Sequence, residues 1–291
     1  MASEKLIKGR IKSAKNISQI TQAMQIAAAA KMRKAQAAAV SGRPYAQKIA
    51  EVTAQFVVRI DSAKHPLLQQ NVSGKKLIIL ISTNKGLCGG LNTSLFRYLT
   101  QTFESGELES AVFVTLGKKG EQYLLRTGRT LLADFSTQPF SKSISALTTF
   151  ITQGFLNGEF REVHILYNNF LSALKQEPSR KKILPIGEFK KDNQTLGDQT
   201  KNNTDLDFVV EPSVEAILDE LLFHYLENQI RDAVLEAEAS EYSARMIAMK
   251  NATDNANELV DLLTLEYNKA RQEKITYEIA DMITARLAVE G

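Results

Sequence analysis

Tryptophan is absent from the 291-residue sequence, cysteine occurs once and histidine three times. The single cysteine, Cys88, excludes an intrachain disulfide, and His65, His164 and His224 stand too far apart to write a zinc-ligand spacing. Set among small residues, Cys88 reads as a packing group rather than a nucleophile. No apolar run approaches the roughly 20 residues that cross a bilayer. The opening MASEKLIKGR holds no apolar stretch of the secretory kind. The expectation is an intracellular chain that does not itself span a membrane. One-signed charge is lacking too: 36 basic against 33 acidic residues leave +3, too little to argue for nucleic acid.

Glycine and proline crowd the middle of the chain and nearly vanish from its ends. Residues 213–290 contain neither, and one helix over that span would be on the order of 115 Å long at 1.5 Å per residue. Apolar residues there recur with heptad-like spacing: Ile217, Leu221 and Tyr225 first, then Ile275, Ile279, Met282, Arg286 and Val289 in alternating steps of four and three. Such a stripe calls for a partner helix. Between the two groups the seam is read as small and polar, with Ala237, Ala244, Ala248, Asn251 and Asn255.

The other end supplies a partner. Ile17, Ile20, Met24 and Ala27 repeat at steps of three, four and three before an alanine-rich stretch of strong helix formers. Ser3 and Glu4 fit a helix start, and Gly42 with Pro44 predicts a kink or break before the helix continues through Ile49, Val52 and Phe56. The reading is an N-terminal helix over 1–60 lying antiparallel to a longer one over 213–291.

Between the rods, residues 76–81, 111–116, 130–135 and 162–167 read as strands, and 91–103, 118–126 and 143–156 as helices. That rhythm predicts an α/β domain over 75–210 with a largely parallel sheet. Residues 192–207, DNQTLGDQTKNNTDLD, read as a mobile loop, and 208–210 as a last short strand.

The motif most suggestive of chemistry is residues 82–92, STNKGLCGGLN, placed after a strand and before a helix. Glycine-rich loops hold phosphates there. This one lacks the Lys-Ser or Lys-Thr ending of a P-loop and an acidic magnesium ligand, so a tight structural turn is preferred. Paired acids such as Glu236 with Glu238, or Asp219 with Glu220, read as solvated helix surface. The stretch 5–43 sets Lys5, Lys8, Arg10, Lys12, Lys15, Lys31, Arg33, Lys34 and Arg43 against no acid, Glu4 lying just before it. Its first aromatic is Tyr45, so stacking residues for single-stranded nucleic acid are missing. A face working inside an acidic or polar protein cavity has the same composition. At this level a free-standing coiled-coil scaffold and a small nucleotide-binding α/β enzyme both stay open as alternatives.

Three ordered blocks carry a resemblance to the gamma subunits of F-type ATP synthases. The first contains Arg10-Ile11-Lys12-Ser13, Gln19-Ile20-Thr21-Gln22-Ala23-Met24 and Ala30-Lys31-Met32-Arg33-Lys34-Ala35-Gln36. The second is Gly86-Leu87-Cys88-Gly89-Gly90-Leu91-Asn92, and the third includes Ala244-Arg245-Met246, Met249-Lys250-Asn251-Ala252-Thr253-Asp254-Asn255 and Tyr267-Asn268-Lys269-Ala270-Arg271-Gln272.

The resemblance implies a long antiparallel coiled coil joined to a Rossmann-like α/β domain. It implies a non-catalytic rotor shaft transmitting rotation from a membrane ion-driven ring to catalytic alpha and beta subunits. Its partners would be the alpha and beta subunits, epsilon and the membrane c ring, at the cytoplasmic face of a bacterial plasma membrane. No cofactor, metal, nucleic acid or small-molecule substrate is expected. Carried over residue by residue, the partner contacts are Met24, Arg245, Arg271, Gln272, Thr276 and Glu278. Arg271 and Gln272 would face a beta-subunit loop. Departures from the family pattern stand at Gln22 for lysine, Asn84 for aspartate, Glu273 for alanine and Thr284 for glycine. The cysteine-bearing regulatory insertion of chloroplast relatives has no counterpart.

Overall fold

The computed structural model describes residues 2–59, 65–136, 139–186 and 214–290. Their elements run α1 (Ala2–Arg59), β1 (Lys75–Ile81), α2 (Leu91–Thr102), α3 (Ser105–Ser110), β2 (Val112–Leu116), α4 (Lys118–Arg126) and β3 (Thr130–Asp134). They continue through α5 (Ile144–Leu156), β4 (Phe160–Phe170), β5 (Gln176–Leu184) and α6 (Val214–Glu290). The expected loop at 192–207 and strand at 208–210 lie outside the described residues. The chain forms two compact units, residues 31–244 and residues 1–30 with 245–291.

The larger unit is built on a five-stranded sheet in the order β3-β2-β1-β4-β5. The first four strands pair in parallel, as the strand and helix alternation predicts, and their order is that of a Rossmann half. Successive side chains of a strand point to opposite faces, and β1 divides accordingly. Leu77, Ile79 and Ile81 join a core with α5 and α6, while Ile78 and Leu80 join one with Leu95, Leu99 and Leu124 of α2 and α4. Burial on both faces explains the unbroken apolar run LIILI at residues 77–81. At the end of β2, Gly117 has φ 112°, and a Cβ there would stand 2.2 Å from the Ser82 carbonyl oxygen. Only glycine lets these two strand ends come so close.

β5 escaped the sequence reading. Its segment QEPSRKKIL carries four charges and a proline, which argues against a central strand. It is the antiparallel edge strand, where proline and lysine are tolerated and block further pairing.

Two helix expectations need correction. α1 passes through Gly42 and Pro44 without a break. On the first stretch of α6 the expected stripe Ile217, Leu221 and Tyr225 is only half-buried. Its buried line is one position along, at Leu218, Leu222, Leu226 and Ile230, packed into the core beneath the sheet with Leu147 and Ile151.

The smaller unit is an antiparallel helix pair. Thr21 Oγ1 lies 2.7 Å from Thr253 Oγ1, Ser18 Oγ donates to Asn257 Oδ1 at 2.6 Å, and Tyr267 Oη donates to Glu4 Oε1 at 3.1 Å. Partners rise along one helix as they fall along the other. The inward positions are Ile7, Ile11, Ala14, Ser18, Thr21, Gln25 and Ala28 on α1, spaced by four and three. On α6 they are Met249, Thr253, Ala256, Val260, Leu263, Tyr267, Ala270 and Lys274. This register corrects the predicted seam: Asn251, Asn255, Ile17, Ile20 and Ala27 are exposed.

Candidate partner-contact surface

Small and polar residues take much of the seam, and many of the larger apolar ones stand outside it. On α1, Leu6, Ile17, Ile20 and Ile26 are all more than half exposed. On α6, Leu265, Ile279, Ile283 and Leu287 are exposed, and so are Ile275 and Met282. Beyond Lys274 every described side chain of α6 is exposed. Scattered surface leucines are ordinary, but a helical stretch apolar on several sides is a surface made to be covered.

All six expected contact residues fall in this helical unit, at two levels. Met24 and Arg245 belong to the level of the Thr21–Thr253 contact, Met24 being 41% exposed and Arg245 half-buried. Arg271, Gln272, Thr276 and Glu278 are exposed on α6 around Lys274. Arg245 and Arg271 are 26 residues apart, about 39 Å along a helix axis. The six expected residues therefore fall at two levels rather than in one pocket. Gln272, Thr276, Ile279, Ile283 and Leu287 follow steps of four and three, which puts the two polar groups in line with the exposed apolar ones. The sequence reading missed Ile283 and Leu287; their spacing from Thr276 was the signal.

Charge is uneven on the same unit. Lys5, Lys8, Arg10, Lys12 and Lys15 are exposed, and the acid preceding them, Glu4, is engaged by Lys274 at 3.6 Å and by Tyr267. Lys274 also lies 3.6 Å from Glu278. The N-terminal part of α1 therefore offers an unneutralised positive band suited to carboxylates on a partner.

The glycine loop is consumed by its own hydrogen bonds. Asn92 Nδ2 donates to Thr83 Oγ1 at 2.8 Å and to Cys88 Sγ at 3.5 Å, and Thr83 Oγ1 donates to the Lys85 carbonyl at 2.8 Å. Leu87 and Gly89 take positive φ, and Cys88 is buried. These contacts fit the structural-turn reading. Asn84 uses both ends of its amide: Nδ2 donates to the Ser136 carbonyl at 3.0 Å and Oδ1 accepts from the Lys118 N–H at 2.9 Å. A carboxylate there could only accept, which gives asparagine a local reason.

Not all of the acids are solvated surface. Asp219 and Glu220 are exposed, but Glu236 and Glu238 are half-buried. Burial pushes both carboxyls up, opposed at Glu236 by a hydrogen bond with Tyr167 and reinforced at Glu238 by the charge of Glu241. Burial likewise raises Asp232, against the pull of Lys181, Arg231 and Arg43, and it raises the Tyr167 phenol well above its ordinary value. Among the described residues no group of three or more His, Cys, Asp or Glu could hold a metal ion, and no helix is long and apolar enough to cross a membrane.

This arrangement has known counterparts. A family model described as ATP synthase matches residues 3–289. The chain is 41% identical to the ATP synthase gamma chain of Opitutus terrae, over 99% of each chain. It is 40% identical to that of Akkermansia muciniphila over 98% of each. Among solved structures it is similar to a chain of the Euglena gracilis mitochondrial ATP synthase described as OSCP/F1/c-ring, with a TM-score of 0.67 at 20% identity, covering 99% of this chain and 95% of that one. A chain of the rotor of the same enzyme gives 0.62 at 22%, covering 94% and 99%. The likeness to these structures concerns the fold, a helix pair with a parallel-sheet domain, and the sequence matches run from one end of the chain to the other. By that full-length match, the chain belongs to the ATP synthase gamma chain family.

Proposed function

We infer that this chain is the central shaft of an ATP synthase rotor, a non-catalytic subunit that couples ion-driven rotation to nucleotide chemistry on other subunits. The observation that carries the reading is the division within the helix pair: its seam mixes threonine, serine and alanine with Ile7, Met249 and Leu263, while Leu6, Ile17, Ile20, Leu265 and Ile279 stand outside. A self-sufficient coiled-coil scaffold would bury the latter in its seam. The glycine loop, closed by Asn92 and Thr83, gives the enzyme alternative no support.

In this reading the helix pair turns inside a ring of alpha and beta subunits, and the α/β domain meets epsilon and the membrane c ring at the cytoplasmic face of a bacterial membrane. Arg271 and Gln272 donate to acceptors on a beta-subunit loop, the guanidinium as a two-pronged donor to a carboxylate. Thr276 and Glu278 extend that level, and Met24 with Arg245 forms the other. An asymmetric shaft makes different contacts with each surrounding catalytic subunit. Rotation then shifts each through binding, reaction and release by differences in contact energy.

The test is release of the stalk from native membranes at low ionic strength, followed by an ATPase assay. Co-release of the chain with larger partners that hydrolyse ATP, an activity the isolated chain lacks, is the expected result. Recovery of the chain alone, with no ATPase partner, would favour the scaffold.

A further inference from the structure

Within the larger unit, a cavity of about 580 Å³ opens between α1, α5 and α6. Its volume lies inside the roughly 300–1,000 Å³ typical of small-ligand sites. Gly42 and Tyr45 of α1 line one side, Ile144 of α5 another, and Asn228 and Glu238 of α6 a third. Asn228 is 8% exposed, and its side chain makes no hydrogen bond among the described residues. Its amide is therefore free to donate to or accept from a ligand in the cavity.

Charge indicates the class of ligand. Arg231, the one arginine on the wall, is held by Glu227 at 2.8 Å. His224 lies 3.9 Å from the same carboxylate. That leaves Asp232 and Glu238, and only Asp232 has cations, Lys181 and Arg43, acting on it besides Arg231. Glu238 faces the like charge of Glu241. The wall thus combines an acid lacking a counter-ion, an unused amide, and apolar surface from Ile144, Val234 and Leu235.

We propose that this cavity binds a small amphipathic amine, its ammonium on Glu238, its polar group on Asn228 and its apolar body against Ile144. The site does not depend on the rotor assignment, and none of the six expected contact residues lines it.

The test uses the full chain and two probes, 4-fluorophenethylamine and the matched 4-fluorophenethyl alcohol, followed by fluorine NMR line broadening. The amine is expected to bind at least about tenfold more tightly than the alcohol, the difference made by one charge-assisted hydrogen bond. Glu238→Gln should remove that preference. Gly42→Leu should block both probes; a Cβ at Gly42 meets nothing within 4 Å, and leucine is the better helix former, so this variant fills the cavity without disturbing the fold. Melting curves of both variants accompany the titrations. Equal binding of amine and alcohol, no binding of the amine to the wild-type chain, or undiminished binding to folded Gly42→Leu would each overturn the proposal.

Discussion

The two stretches of α6 are made from one uninterrupted helix yet are stabilised in opposite ways. From Leu218 to Ile230 the helix buries Leu218, Leu222, Leu226 and Ile230 in a core shared with the sheet and α5. From Met249 to Lys274 it meets α1 through threonine, alanine and a few larger residues, and keeps much of its apolar surface outside. The first arrangement is a permanent core. The second is a thin contact that leaves apolar area for another protein to cover. Fixing one end firmly while leaving the other incomplete suits a shaft that must transmit torque and also bear on its surroundings.

The comparison can be broken most decisively at its cores. Leu222→Ala should cost about 2–5 kcal/mol, the range for emptying a buried leucine site. Leu263→Ala, in the seam, should cost less than half as much. Urea denaturation of the full chain measures both, and equal costs would erase the distinction.

At the uncovered end, Arg271→Ala should weaken attachment to an alpha–beta assembly about tenfold, the loss of one charge-assisted hydrogen bond. A binding titration with labelled chain reads this directly. Replacing Ile279, Ile283 and Leu287 together by serine should change the stability of the isolated chain by no more than about 0.5 kcal/mol per site. The same triple variant should lower coupled ATP synthesis in reconstituted vesicles. A large loss of stability in the isolated chain would mean that those side chains already pack within it.

The smallest expected effect comes from Glu238→Gln. A carboxyl whose pKa is raised by folding destabilises the protein above its folded pKa, and the penalty fades as pH falls from the folded pKa to the unfolded one, below which it is absent. The substitution should therefore raise the melting temperature by roughly 2 °C at neutral pH. That gain should vanish in acid, below the ordinary carboxylate range. A gain independent of pH would point to packing instead.

Much of the fold was legible because the strands of a doubly covered sheet are continuous apolar runs and its helices have their own period. β5 was not, because an edge strand is selected for charge and tolerates Pro178. The helix pair was legible as a pair but not in register. Choosing the most apolar stripe, Ile17 with Ile20 and Met24, assumes that the seam takes the largest hydrophobes. Here Ala14, Thr21 and Ala28 take it, and the apolar stripe is left for a partner. The contact residues came from family resemblance alone. Arg271 and Gln272 on an exposed helix have no chemistry that single-sequence reasoning separates from ordinary surface. Glu236 and Glu238 were misread because burial comes from the folded surroundings, which at Glu236 include Tyr167 and Lys181, residues far away in the chain.

The most direct test of the shaft is single-molecule rotation. A cysteine placed at Leu174, 84% exposed on the β4–β5 turn, can carry a bead while the buried Cys88 stays unlabelled. With the alpha and beta subunits immobilised and ATP supplied, the account predicts stepwise, one-directional rotation of the bead, slowed by Arg271→Ala. A bead that stays still while the same complexes hydrolyse ATP would contradict it.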